Sequence, residues 1–358
     1  CFIVMYIGAE NIISPLGNTS KETFERMVKG DSSIAQKNGL FLSHFTPERT
    51  ELLPLMIESI LKSVSKIDSN YLLRTRTLLI VSTTKGEINS IKTNFNKTHL
   101  HYLSEELFKK FDCVNKSIVI STACISGLQS LIVANDMLNN YYYDNVIICA
   151  GDLASNFVIK GFNSFYALSD NKCKPFDKNR GGLNIGEAVS TIIMSRDKDI
   201  FKDNPHWFAG GCSVNDASHI SAPHREAEGL VKSIQKTLKI SKVRNEDIDF
   251  INAHGTATIY NDGMEAKAFS KLDFKNTPIN GFKGFFGHTL GAAGVIEIAV
   301  SLQCMRNNLL LKCKGFEEQD FENKLDILKD NRQLEVNTIL KTSSGFGGFN
   351  ASVIIKHI

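Results

Sequence analysis

A chain of 358 residues, 42% hydrophobic and 22% charged, has ordinary globular composition and material for one large domain or two. A net charge of +3, with no basic run and no spaced aromatic platform, gives no case for a nucleic-acid binder or a protein held on an anionic membrane. No apolar stretch reaches bilayer length, so an integral membrane protein is excluded.

The eight cysteines (positions 1, 113, 124, 149, 173, 212, 304 and 313) show neither CxxC pairing nor metal-ligand spacing. They read as reduced thiols of a cytoplasmic protein rather than a disulfide framework, and no metal site is expected. The opening Cys-Phe-Ile-Val-Met-Tyr-Ile lacks a basic n-region and reads as a first strand, not a signal peptide.

In chain order, residues 2–7 form that strand, and turn-rich residues 11–18 follow. Thr19 or Ser20 caps a helix carrying Phe24 and Met27. Residues 30–50 are polar and irregular, 52–64 helical, and 77–81 a buried strand ending in Ser82-Thr83-Thr84-Lys85-Gly86-Glu87. A helix near 101–111 precedes a short buried strand, Ile118 to Ile120. That strand breaks through Ser121-Thr122-Ala123 to Cys124, and Leu128, Leu131, Ile132 and Leu138 then recur at helical spacing. Residues 144–151 are a strand, 174–182 a charged, glycine-rich loop, and 189–194 another strand. The rhythm then repeats: strand 207–214, helix 226–238, strand 248–252, a helix capped by Asp262, a short strand near 277–280, a long apolar helix to Met305, and strands near 337–342 and 351–356. Strands alternating with helices predict an α/β protein. The repeated rhythm predicts two similar halves, residues 1–200 and 201–358, although no sequence identity links them.

Chemistry concentrates at four points. Cys124 sits on a strand-to-helix elbow, where the helix N-terminus favours thiolate. His254 ends a buried strand and is followed by Gly-Thr-Ala-Thr; His288 lies between Gly287 and Gly291-Ala292-Ala293-Gly294. Lys283 precedes His288 by five residues, and Gly345-Phe346-Gly347-Gly348 lies near the end. Singly, each has a bland counterpart: a buried core cysteine, a satisfied core histidine, a helix-packing motif, a solvated lysine, a turn. Together they suit acyl chemistry. A thiolate holds an acyl group as a thioester, and two imidazole N–H groups converging on one oxygen stabilise an enolate.

The segments Thr122-Ala123-Cys124-Ile125-Ser126-Gly127, Lys174-Pro175-Phe176-Asp177, Asn252-Ala253-His254-Gly255-Thr256-Ala257-Thr258, Gly287-His288-Thr289-Leu290-Gly291 and Gly345-Phe346-Gly347-Gly348-Phe349-Asn350 carry a specific resemblance. The chain resembles the β-ketoacyl-acyl-carrier-protein synthases, the elongating, decarboxylating condensing enzymes of the thiolase superfamily, nearly end to end. The resemblance implies a thiolase-like five-layered αβαβα sandwich and a 3-oxoacyl synthase of fatty-acid or polyketide/polyene synthesis.

By the same resemblance, Cys124 takes the acyl chain from an acyl carrier protein. His254 and His288 decarboxylate malonyl-carrier, and Lys283 supports them. The N–H groups of Cys124 and Phe346 form the oxyanion hole, and Phe346 gates the acyl pocket. Thr256 and Thr258 bind the phosphopantetheine arm, Phe162 faces the malonyl group, and Glu265 is a buried carboxylate accompanying Lys283. The only cofactor implied is phosphopantetheine brought on the carrier. The partners implied are the carrier, malonyl and acyl thioesters, and a second subunit in a homodimer or heterodimer.

The chain departs from the pattern in a shortened N-terminal half, around 45–55 and 90–115, in Phe349 where a small polar residue is common, and in the polar Thr83–Glu87 segment. Three rivals remain. A CoA-dependent thiolase-like enzyme would put a second cysteine in the glycine loop, where Phe346 stands. A non-catalytic chain-length-determining partner would usually lack the nucleophile. A cysteine hydrolase would need neither His288 nor Lys283.

Overall fold

The computed structural model describes residues 4–46, 49–68 and 76–358. Cys1, Phe2 and Ile3 of the expected first strand, and residues 47–48 of the shortened 45–55 segment, lie outside the described residues.

The first half supplies strands β1 (Met5–Ile13), β2 (Thr77–Ser82), β3 (Ile118–Ile120), β4 (Asn145–Asp152) and β5 (Ala188–Ser195). The second supplies β6 (His206–Asn215), β7 (Phe250–Asn252), β8 (Ile279–Asn280), β9 (Thr338–Gly345) and β10 (Phe349–Lys356). Hydrogen bonding orders them β3-β2-β4-β5-β1 and β6-β10-β9-β7-β8, so read outward each half repeats the order 1-5-4-2-3. Directions repeat too. The second strand pairs in parallel with the third and fourth, and the fifth pairs antiparallel with the fourth and first. A short antiparallel run, Met5–Ile7 against His206–Phe208, joins the halves.

Helices α1 (Ser20–Val28), α2 (Leu52–Val64), α3 (Leu100–Lys110), α4 (Ser126–Asn139) and α5 (Asn156–Ser164) belong to the first half. Helices α6 (Glu228–Ser241), α7 (Ile259–Lys271), α8 (Lys283–Phe286) and α9 (Ala293–Asn307) belong to the second. Helix α4 touches strands of both halves, as does α9; α2 and α3 cover the outer face of the first sheet and α6 that of the second. The result is the five-layered α/β sandwich of thiolase-like proteins. The central helix α9 is buried nearly all round, as an apolar helix between two sheets must be.

The two central helices meet at their first turns. A Cβ on Gly127 would lie 2.8 Å from the Val295 N, and one on Gly294 2.6 Å from the Leu128 N. Only glycine permits this backbone contact, and it brings the two helix N-termini, each preceded by a candidate site residue, to one place.

Most expected elements form, with instructive differences. β1 runs on to Ile13, through a register shift between Gly8 and Asn11, where turns were expected. The irregular 30–50 stretch holds a hairpin, Ala35–Lys37 against Leu40–Leu42. Its turn is Asn38-Gly39, with φ of 51° and 82°, the Asn-Gly signal for a two-residue hairpin. The Ile118–Ile120 strand is half-buried, because it is the sheet edge. Asp262 does not cap α7; Thr258 does, its Oγ1 accepting the Asn261 N–H at 3.3 Å.

His206 opens β6 at 2% exposure, edge-on to His357 at 5.5 Å, and neither ring nitrogen has a partner among the described residues. Burial, then the Arg306 guanidinium, pushes its pKa down to about 3. The folded state therefore binds fewer protons than the unfolded one between about pH 6.5 and 3, so stability is lost as pH falls through that window. The expected slope from this group is about 1.4 kcal/mol per pH unit. Urea unfolding of wild type and His206→Phe between pH 6 and 4 checks it: the variant's slope is shallower by about that amount. An equal slope would mean that His206 is already charged in the folded protein.

Candidate active site

Cys124 lies between β3 and α4, where Ala123 takes a positive φ of 49°. Ser126 locks the elbow, its Oγ donating to the Ala123 O at 2.5 Å and accepting the Thr122 N–H at 2.8 Å. His254 follows β7, the second strand of its half; His288 follows β8, the third, just before α9. Cys124 and His288 thus occupy equivalent places in the two halves, each between the third strand and the central helix.

Packing the two central helices together converges all three side chains. One ligand atom each from Cys124, His254 and His288 lies within 4.8 Å of the others, and all three residues are buried. The two imidazoles meet edge to face, centroids 5.2 Å apart. Lys283 Nζ lies 3.2 Å from His254 Nδ1 and donates to the His254 carbonyl. The Leu290 N–H points at His288 Nδ1 at 3.3 Å.

Both Nδ1 atoms therefore accept, which assigns the proton of each neutral ring to Nε2. Burial, then the Lys283 charge, holds both imidazoles well below their usual range, with Lys341 acting in the same direction. The rings stay neutral donors. Cys, His and His are also zinc's preferred ligand types. A zinc-binding imidazole, however, donates its other N–H to an acceptor, whereas here both remaining nitrogens face donors, beside two lysines. The surroundings suit an oxyanion rather than a dication.

The expected thiolate is corrected. Burial pushes the Cys124 thiol up to about 11. Lys283, Lys85 and the Phe346 N–H pull the other way without prevailing. Desolvation of the buried Cys124 is the largest influence on it, so the resting group is a thiol.

Glu265, expected beside Lys283, instead accepts the His254 N–H at 2.8 Å, the Gly255 N–H at 2.7 Å and the Thr342 hydroxyl at 2.9 Å. It holds the histidine loop from below. The carboxylate that pairs with Lys283 is Glu297 on α9, at 2.6 Å. Its other oxygen meets Lys341 of β9 at 2.5 Å.

Asp262 accepts the N–H groups of Thr256, Ala257 and Phe176, tying the histidine loop to the Lys174–Asp177 loop. The polar Thr83–Lys85 segment is likewise spent internally. Asp152 accepts from both threonine hydroxyls, the Thr84 and Lys85 N–H groups, and the Gly291 N–H at 2.7 Å.

A cleft of about 310 Å³ opens onto the triad. Phe162, Thr256, Thr258, Phe346 and Phe349 line it, and the two threonine hydroxyls are 2.9 Å apart. Phe346 stacks on Phe162 at 5.7 Å and meets Phe165 edge-on at 5.6 Å, an aromatic cluster lining the same cleft as Cys124. All the expected site residues thus gather at one cleft or directly beneath it. Glu297, Lys341, Asp262 and Asp152 are the members that the sequence reading did not place there. Two of them carried a signal: Glu297 is a lone charge in the apolar run Val295–Leu302, and Lys341 follows Ile339-Leu340 in a buried strand.

Two family models match the chain: "Beta-ketoacyl synthase, N-terminal domain" over residues 79–200, and "Beta-ketoacyl synthase, C-terminal domain" over 208–317. The 3-oxoacyl-[acyl-carrier-protein] synthase 2 of Coxiella burnetii is 30% identical, over 70% of this chain and 64% of its own. The tetracenomycin polyketide synthase ketoacyl synthase alpha subunit of Streptomyces glaucescens is 28% identical, over 66% and 59%. The chain thus spans less than two thirds of these curated relatives. Among solved structures, a ketosynthase in complex with its chain length factor from Xenorhabdus doucetiae superposes with a TM-score of 0.84 at 24% identity, covering 100% of this chain and 98% of that one. The ishigamide ketosynthase/chain length factor gives 0.89 at 20% identity, with both chains covered completely. Among the described residues, no helix is long and apolar enough to cross a membrane.

Proposed function

Since the chain belongs to the β-ketoacyl synthase family, a family of condensing acyltransferases, we propose that it is itself a catalytic 3-oxoacyl-carrier synthase. The convergence of Cys124, His254 and His288 within 4.8 Å at the foot of an aromatic-lined cleft carries this reading.

In it, the Cys124 sulfur attacks an acyl-carrier thioester; the acyl group passes to sulfur, and the carrier leaves as thiol with the proton. Malonyl-carrier then enters past Thr256 and Thr258, which hold its phosphopantetheine arm. The Nε2–H groups of His254 and His288 donate to its thioester carbonyl, so negative charge gathers there as the bond to the carboxylate breaks and carbon dioxide leaves. The carbanion attacks the acyl-Cys124 carbonyl, and the N–H groups of Cys124 and Phe346 receive the oxyanion. Collapse releases 3-oxoacyl-carrier and the Cys124 thiolate, which regains a proton. The scheme uses no metal and no diffusible cofactor. Its partners are the acyl carrier and a second subunit, either another copy or a related chain.

Intact-mass spectrometry tests the reading. The protein is incubated with acyl-carrier thioesters of graded length, and malonyl-carrier is then added. The expected result is one acyl adduct, discharged on addition as 3-oxoacyl-carrier appears. No adduct with any donor would overturn the reading and favour the second one, a non-catalytic subunit that sets chain length for a partner. That alternative is kept because structural relatives include complexes named for a chain length factor.

A further inference from the structure

The buried lysine on β9 has no part in the scheme above, yet it lies within the same charge cluster. Lys341 is 0% exposed. Its Nζ meets Glu297 Oε2 at 2.5 Å and donates to the Ala253 carbonyl at 3.1 Å. Lys283 does the same one residue on: Nζ meets Glu297 Oε1 at 2.6 Å and donates to the His254 carbonyl. Two ammonium groups bridged by one carboxylate thus grip consecutive carbonyls of the turn that aims His254.

The charge matters as much as the grip. Lys283 with Glu297 alone is a neutral pair. Adding Lys341 gives this trio one net positive charge, which sits nearer the imidazole side of the cluster while the buried Glu265 carboxylate faces it from α7, where solvent screens both weakly. We propose that Lys341 is a positioning residue of this site, the second arm of a Lys283–Glu297–Lys341 clamp that aims His254 and supplies the positive field keeping both imidazoles as neutral donors toward a developing anion. The inference deepens the condensing-enzyme reading and rests on it for the identity of that anion.

The groups facing Lys341 are Glu297 on α9, Lys283 on α8, Glu265 on α7, and the two histidines. Burial, with Lys283 acting alongside, brings its pKa down to about 8, against the pull of Glu297 and Glu265. The clamp therefore loses its extra charge within a measurable range, whereas the Cys124 thiol titrates near 11.

Two readouts test this. In protein labelled with ¹⁵N-histidine, the wild-type imidazole shifts of His254 and His288 should inflect near pH 8 without the rings themselves titrating. In Lys341→Met, that inflection should vanish, and the protonation midpoints of both rings should rise by about one pH unit. For malonyl-carrier decarboxylation, wild-type rates should fall as pH rises through about 8. Lys341→Met should be about tenfold slower at pH 7 and flat across that range. A purely structural lysine would lower the variant's rate at every pH and leave the alkaline limb in place, which overturns the proposal, as does a wild-type NMR titration with no inflection near pH 8. The wild-type titration needs neither a folded variant nor turnover, so failure of the clamp and failure of the condensing-enzyme reading are told apart.

Discussion

Alanine at Cys124 is expected to abolish condensation while sparing decarboxylation. In the proposed scheme, condensation needs the sulfur as the place where the acyl chain waits, and removing a nucleophile that acts within a unit costs on the order of 10⁴-fold or more. Decarboxylation needs only an electrophilic pair aimed at the malonyl thioester carbonyl. That pair, His254 and His288, is held by Lys283, Glu265 and the Leu290 N–H, none of which depends on the sulfur.

Cys124→Ala should therefore form no acyl adduct and no 3-oxoacyl product, yet release carbon dioxide from malonyl-carrier within about tenfold of the wild-type rate. His288→Ala should do the reverse, keeping the acyl adduct and losing decarboxylation by roughly 10²–10³-fold. Measuring adduct mass and carbon dioxide release on both variants checks the division of labour. If Cys124→Ala still yields a 3-oxoacyl product, the nucleophile is elsewhere. If it loses decarboxylation as well, the two chemistries are not separable.

The second large effect is on stability. Glu297 is 0% exposed and neutralises one of two ammonium groups that are themselves 1% and 0% exposed. Removing a carboxylate from such a cluster leaves buried charge uncompensated, and the expected cost of Glu297→Ala is about 3–5 kcal/mol. The sign of its pH dependence follows. Without the carboxylate both lysines are harder to protonate in the folded state than in the unfolded one. The unfolded chain then binds more protons below the ordinary lysine range, so the penalty should shrink as pH rises toward 10. Urea unfolding of the variant at pH 7 and pH 9.5 checks both points. A loss below about 1 kcal/mol at pH 7 would mean that water reaches the cluster and solvates the lysines.

The candidate residues were legible because their chemistry fixes local sequence. A nucleophile on a tight elbow needs small neighbours and a helix behind it, hence Thr122-Ala123-Cys124 followed by Ser126-Gly127. A reactive histidine at a strand end needs a close approach, hence His254-Gly255 and Gly287-His288. The strand and helix rhythm fixed the α/β class, since period and turn residues are local properties. The missed hairpin at 35–42 belongs with these: Asn38-Gly39 was readable, but its polar, exposed first strand, Ala35–Lys37, masked it.

Local sequence thus carried the candidate groups and the kind of element holding each. Their mutual placement and ionisation came from packing. The repeated strand order, invisible in the residues because the halves share no identity, makes Cys124 and His288 equivalents and brings them together where Gly127 meets Gly294. Burial, a property of the whole assembly, turned the expected thiolate into a thiol and kept both imidazoles neutral. Partners distant in sequence were reassigned as well: Lys283 found Glu297 rather than Glu265, and Lys341 joined them from another strand. Charge pairing and desolvation depend on distances through space, and those exist only once the chain has folded.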